Sequence, residues 1–188
     1  SLDHVAKNPA VFDIKKLNWL NAHYMRQLSD EDYVAFAVPF MKEAGYMTGE
    51  ETGDKLEWLK KVILTARDQA EFGKEIPEKV ALYFTDEFDF ETPEAEAVLK
   101  EETVPQVMSL FLDKLAAAEN LDHAGTKALF KAVQKETKLG GKKVFMPVRV
   151  ALTGNQHGPE LAEMIPLLGK DRAAARIRGS LAKAGVNL

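Results

Sequence analysis

The chain has 188 residues, a formal net charge of −4 and no cysteine. That length can bury a good core, as one domain or as two small ones. The missing thiols exclude disulfides, thiolate metal sites and a cysteine nucleophile, and the acidic balance argues against a surface that coats nucleic acid generally.

In the opening segment Ser1–Asp13, Leu2 and Val5 predict a short helical turn ended by Asn8-Pro9. Asp13 can cap a helix over Ile14–Leu28, whose Leu17, Leu20, Tyr24 and Leu28 keep helical spacing. Trp19 and Tyr24 read as core or helix-contact residues, and His23 as a surface or interfacial histidine. Ser29-Asp30-Glu31-Asp32 then starts a helix Asp30–Ala44, bent or split at Pro39 and stopped by Gly45. After a polar loop comes a long amphipathic helix, Asp54–Phe72, with Arg67, Asp68, Gln69 and Lys74 at its end. A short helix over Pro77–Thr85 leads into the acidic, aromatic loop Asp86–Glu91.

Thr92-Pro93 opens the next helix, Pro93–Glu101, and helices over Val104–Ala118 and Asp122–Thr137 follow. Lys143–Val150 is the only candidate for a short extended piece, and Lys170–Lys183 forms the last helix between Gly169 and Gly185. No repeat or low-complexity tract interrupts the pattern. The expected architecture is all-α. No apolar run approaches a membrane span and no secretory signal is visible, so a soluble cytoplasmic protein is expected.

Charge is unevenly spread. From Lys138 to Leu188 nine cations face three carboxylates, a balance of +6 that leaves −10 on the preceding residues. An acidic body with a basic end reads either as a polyanion-facing surface or as a solvated helix face.

Within that basic end, Gly140–Gly169 is the stretch most suited to touching a ligand. Arg149 interrupts an apolar run with a planar fork of donors. Thr153-Gly154-Asn155-Gln156-His157-Gly158 makes a polar loop, and Pro159 suits the first turn of a helix whose free N–H groups would favour an anion or the acceptor edge of a base. The residues alone equally allow a buried connector in which Arg149 caps a helix.

Several chemistries find no foothold. The four histidines, at 4, 23, 123 and 157, are scattered without an i, i+4 pair, so no metal site is expected. Gly140-Gly141-Lys142-Lys143 lacks the upstream glycine and following hydroxyl of a phosphate-binding loop. No Gly-x-Ser-x-Gly elbow is present. No catalytic residue is assigned.

Two segments carry a resemblance. The first is Gly141-Lys142-Lys143-x-Phe145-x-Pro147-x-Arg149-x-Ala151-Leu152-Thr153-Gly154-x-x-x-Gly158-Pro159-x-Leu161, ending in Leu167-Leu168-Gly169-Lys170. The second is Asn8-Pro9-Ala10-Val11-Phe12-Asp13 with Lys16-Leu17-Asn18-Trp19-Leu20-Asn21 and Tyr24. In this order they closely resemble the C-terminal region of bacterial glutamyl-tRNA synthetases, and they bracket almost the whole chain.

The resemblance implies a helical cage of the anticodon-binding type in two subdomains, residues 1–81 contacting the tRNA stem and 82–188 the anticodon. It implies tRNA(Glu) as partner, with tRNA(Gln) left open by Gln69, which stands where relatives present an Arg or Gln towards the anticodon. Arg149 would bond a base or phosphate, and Thr153 through Leu161 would form a pocket. There Gly158 and Pro159 would read polar edges and Leu161 would pack on a base. Lys142, Lys143 and Arg67 would attract phosphates. Glu160 departs from the small residues common in relatives.

The His-x-Gly-His-type and Lys-Met-Ser-Lys-type catalytic signatures of that family are absent here. Glutamate activation with ATP and Mg is therefore expected only in a catalytic domain outside this chain, and the chain alone should be inactive. The parent protein is expected to be a monomer that binds neither membrane nor DNA. Two rival readings are a stand-alone helical module binding an acidic protein partner and an unfamiliar enzyme using Arg149 and His157.

Overall fold

A computed structural model describes residues 13–188; the expected turn near Leu2 and Val5 lies outside the described residues. Ten α-helices and one 3-10 turn make up the regular structure there, with no strand. They are α1 (Ile14–Gln27), α2 (Asp30–Glu43), α3 (Gly53–Leu64), α4 (Glu75–Val80), α5 (Pro93–Leu99), α6 (Val104–Ala117), α7 (His123–Thr137), α8 (Gly141–Thr153), α9 (Leu161–Leu168) and α10 (Lys170–Lys183), with the 3-10 turn at Ala81–Tyr83. Among the described residues no helix is long and apolar enough to cross a membrane.

Helix starts follow local chemistry. Asp13, Ser29, Thr92 and Asp122 each accept a hydrogen bond from the backbone N–H three residues on, satisfying a donor that the first turn leaves orphaned. Pro39 does not split α2, which runs unbroken to Glu43.

Two expected elements are corrected. Helix α3 stops at Leu64 rather than continuing to Phe72. The Thr65 hydroxyl donates to the Val62 carbonyl at 2.7 Å, and the chain then closes in tight turns such as Gln69 N–H to the Ala66 carbonyl at 2.9 Å. Ala66 and Ala70 stay buried, so the apolar signal persists past the helix end.

The second correction is Lys143–Val150, which is helix and not extended. Its β-branched valines suggest a strand, but Val144, Val148, Ala151 and Leu152 fall on one helical face and are all buried.

One continuous apolar core runs from Met25 to Ala184. Helix α8 sits at its centre, packed against α5, α6, α7 and α10. Trp58 ties α3 to α9, its indole N–H donating to the Leu167 carbonyl at 2.9 Å.

Arg176 of α10 is buried and holds the 3-10 turn in place. Its guanidinium donates to the carbonyls of Leu82, Thr85 and Leu152, and its Nε lies 3.1 Å from Asp86. Alongside, Arg172 pairs with Asp86 and Lys183 with Asp89. These three cations of the basic end are therefore spent on the acidic loop, and α10 is not the polyanion-facing surface its charge suggests.

Candidate nucleic-acid interface

The outward face of α8 gathers Lys142, Phe145, Met146 and Arg149, spaced i, i+3, i+4 and i+7. Lys142 is exposed, Phe145 is 39% exposed, and Met146 and Arg149 are half-buried. Phe145 stacks on Phe130 at 4.4 Å, which fixes its ring while leaving one side to solvent. At the start of the helix Gly140 supplies no side-chain cap; its carbonyl accepts the Lys143 N–H at 3.0 Å, and the N–H groups of Gly141 and Lys142 lack a side-chain cap. Lys142, Lys143, Met146, Pro147, Gln156 and His157 line a hollow of about 490 Å³, closed on the far side by Val98 and Glu101.

Arg149 stands at the other end of the stripe. Its Nη1 donates to the Pro159 carbonyl at 2.8 Å. Burial lowers its pKa, and no carboxylate offsets that cost. Among the described residues Arg149 forms no ion pair, unlike Arg176 with Asp86. Gly158, exposed at φ +145°, lies directly beside it: a Cβ there would sit 3.4 Å from Arg149 Nη1. The bare backbone at Gly158 thus leaves the guanidinium open on one side.

Local bonds set the loop that follows. Thr153 Oγ1 lies 2.8 Å from the Arg149 carbonyl and accepts the Asn155 N–H at 3.1 Å, while the Asn155 side chain accepts the His157 N–H at 2.9 Å. Thr153 is therefore half-buried and occupied within its own turn.

Other expected site residues are placed differently. Helix α9 begins at Leu161 and not at Pro159, which is buried. Leu161 is 3% exposed and packs into the core, so packing against a base is not open to it. Glu160 takes the cap position and turns to Lys127 at 3.2 Å, whose bond holds its carboxyl below the usual range. An acid at the tip of α9 opposes a phosphate there.

Arg67 and Gln69 lie in the turn after α3, apart from the α8 stripe. Arg67 Nη2 pairs with Asp30 at 2.9 Å, with the guanidinium 4.9 Å above the Tyr33 ring. Gln69 donates to the Thr65 carbonyl at 2.8 Å. Both are engaged within the fold. The structure also groups His123, Glu160 and Glu163, whose ligand atoms lie within 4.8 Å of one another; all three are exposed. Lys127 already faces that group.

Phe145, Met146 and Gln156 were missed as site residues. The signal was present in the Lys142, Phe145, Met146 and Arg149 spacing, and reading this stretch as extended scatters it over two faces.

Comparison with known proteins then places the domain. The family described as the anticodon binding domain matches residues 32–181. The chain belongs to the anticodon binding domain family.

Among relatives of this anticodon binding domain, the glutamate–tRNA ligase of Desulforamulus reducens is 44% identical over 181 residues, covering 96% of this chain and 38% of that protein. The glutamate–tRNA ligase of Bacillus subtilis is 43% identical over 177 residues, 94% of this chain and 36% of its own length. The domain thus spans a little over one third of the curated relatives it matches. A glutamate tRNA ligase from Elizabethkingia meningosepticum, crystallised with its amino acid, superimposes with a TM-score of 0.78 at 21% identity, over 92% of this chain and 33% of that one. At that identity the likeness establishes the helical fold.

Proposed function

We propose that this anticodon binding domain recognises tRNA through unpaired anticodon bases, as part of a glutamate–tRNA ligase. The observation that carries the reading is Arg149: a half-buried cation that pairs with no carboxylate among the described residues, open beside the bare backbone of Gly158. Single-stranded RNA is read where its bases are unstacked and splayed, through stacking and hydrogen bonds to their edges. Phe145 and Met146 offer apolar contact for a base. The Arg149 donors not used by Pro159 offer hydrogen bonds to an acceptor edge or a phosphate. Lys142 and Lys143 supply the salt-dependent attraction.

In the same reading residues 1–81 meet the tRNA stem and 82–188 the anticodon, and the partner is tRNA(Glu). Gln69, where an Arg would favour strict discrimination, leaves tRNA(Gln) open as a second partner. Glutamate activation, with ATP and Mg, belongs to the portion of a ligase outside this chain, and this chain alone only holds the RNA. The grip would position the acceptor end of the tRNA for charging in a monomeric cytoplasmic enzyme.

Arg149→Ala tests the site. It should weaken binding of a glutamate-tRNA anticodon stem-loop by roughly 1–3 kcal/mol in a fluorescence titration, with the far-UV circular dichroism unchanged. Unaltered affinity would remove Arg149 from the interface.

A further inference from the structure

The four histidines are scattered along the chain, and their spacing leads to no expected metal site. The fold nevertheless brings His123 to two carboxylates of another helix. His123 is the first residue of α7, Glu160 takes the cap position of α9, and Glu163 lies in its first turn. The two helices pack on each other, so the three side chains project from well-supported helix starts. One ligand atom from each lies within 4.8 Å of the others, and the imidazole Nε2 stands 3.6 Å from Glu160. Zinc bonds of about 2.0–2.2 Å at tetrahedral angles put ligand atoms about 3.4 Å apart. Exposed side chains such as these close that difference by small rotations.

Charge points the same way. Lys127 lies 3.2 Å from Glu160, so a cation already seats on that carboxylate, while Glu163 forms no ion pair among the described residues. A hollow of about 640 Å³ beside the trio is walled by Asp54, Glu57, Asp122, His123 and Glu163, with Lys61 the one fixed cation among its described lining residues. A buried donor also stands without a partner. Tyr83 is 1% exposed and its hydroxyl makes no hydrogen bond; Thr65, beside it, gives its own proton to the Val62 carbonyl. Burial and, less strongly, the Glu163 carboxylate raise the pKa of this phenol, so the two groups lie within electrostatic range. Ligating carboxylates carry a hydrogen-bond partner behind them, and Tyr83 is the candidate to supply one to Glu163.

We propose that His123, Glu160 and Glu163 form a site for a divalent ion of the zinc type, which ties the start of α7 to the start of α9. One imidazole with two carboxylates suits zinc, cobalt or nickel, whereas magnesium and calcium take oxygen ligands. Three protein ligands leave a fourth position for water. Lys127, whose side chain is 51% exposed, turns to solvent when the ion takes Glu160. The site uses none of the α8 residues and stands apart from the RNA reading.

Zinc is titrated calorimetrically into the tag-free chain in excess magnesium, with far-UV circular dichroism of each variant alongside. One ion should bind per chain and raise the thermal midpoint. His123→Ala and Glu163→Gln should each weaken binding by at least the roughly tenfold that losing an outer-shell partner costs. Lys127→Met, which removes the competing ammonium, should tighten it severalfold, and His23→Ala should leave it unchanged. Cobalt gives a reading that needs no change to the ligands. Trp58 lines the hollow, while Trp19 and Tyr24, expected as core or helix-contact residues, are instead 65 and 61% exposed, and Trp19 stacks on His23. Trp19→Phe therefore leaves Trp58 as the single indole, and stoichiometric cobalt should quench it.

Zinc binding of equal strength in wild type, His123→Ala and Glu163→Gln would mean an adventitious ion only and would overturn the proposal. Displacement of zinc by magnesium, or Trp58 emission untouched by cobalt, would overturn it as well.

Discussion

Replacing Arg176 by alanine is expected to destabilise the domain by about 1–3 kcal/mol, the range for leaving buried backbone acceptors without a donor, because its ionic partner Asp86 is itself 63% exposed and adds little. The side chain is 2% exposed, and it donates to three backbone carbonyls as well as reaching Asp86. Alanine would leave the carbonyls of Leu82, Thr85 and Leu152 short of a donor, the cost falling mainly at Leu152, which is buried. Arg176→Lys should recover only part of the loss, because an ammonium cannot span acceptors that a planar guanidinium reaches together.

The same cluster predicts a direction with pH. Hydrogen bonds from Arg172 and then Arg176 hold the Asp86 carboxyl below its ordinary value. Its contribution is complete above the usual aspartate range and is lost as pH falls through the lowered value. Urea unfolding at neutral pH and at about pH 3, with Arg176→Ala beside the wild type, reads both effects. A variant that unfolds at the wild-type midpoint contradicts the clamp.

Gly154→Ala should cost roughly 2–5 kcal/mol, combining about 1–2 for a left-handed non-glycine backbone with about 1–3 for overpacking. Gly154 has φ +71° at the end of α8, and a Cβ there would come within 2.3 Å of the Asp89 carbonyl oxygen and 2.8 Å of the Phe88 ring. Its own carbonyl accepts the Glu91 N–H at 2.9 Å. This glycine therefore lets the acidic loop lie against the end of the helix that carries Arg149. Thermal unfolding should show a lowered midpoint, and RNA affinity should fall with it as the stripe loses its support. A midpoint within a degree of wild type would mean that the loop yields freely at this position.

The helical fold was legible because its signals are local. Asp13, Ser29, Thr92 and Asp122 cap donors three residues away, and the apolar spacing of α6 and α7 needs nothing from the rest of the chain. What sequence could not show depends on distant partners. The Arg176 clamp grips backbone carbonyls about ninety residues away, and a carbonyl leaves no trace in the choice of side chain. The +6 balance of the last fifty residues misleads for the same reason: three of its cations are taken up by Asp86 and Asp89.

In the candidate site, Arg149 with Gly158 and the Lys142–Lys143 pair could be picked out by residue type. The start of α9 could not. Pro159 suits a first helical turn, yet tertiary packing buries it and starts the helix two residues later, with Leu161 turned into the core. Phe145 was hidden because three β-branched residues near it imitate a strand.

Binding of a glutamate-tRNA anticodon stem-loop, titrated against a loop of the same composition in scrambled order at fixed salt, is the most direct test of an RNA-reading stripe on α8. The native loop should bind at least tenfold more tightly, and Arg149→Ala should bring the two affinities together. Equal affinity for both loops in the wild-type chain, falling in parallel as salt is raised, would show attraction to charge alone and contradict the account.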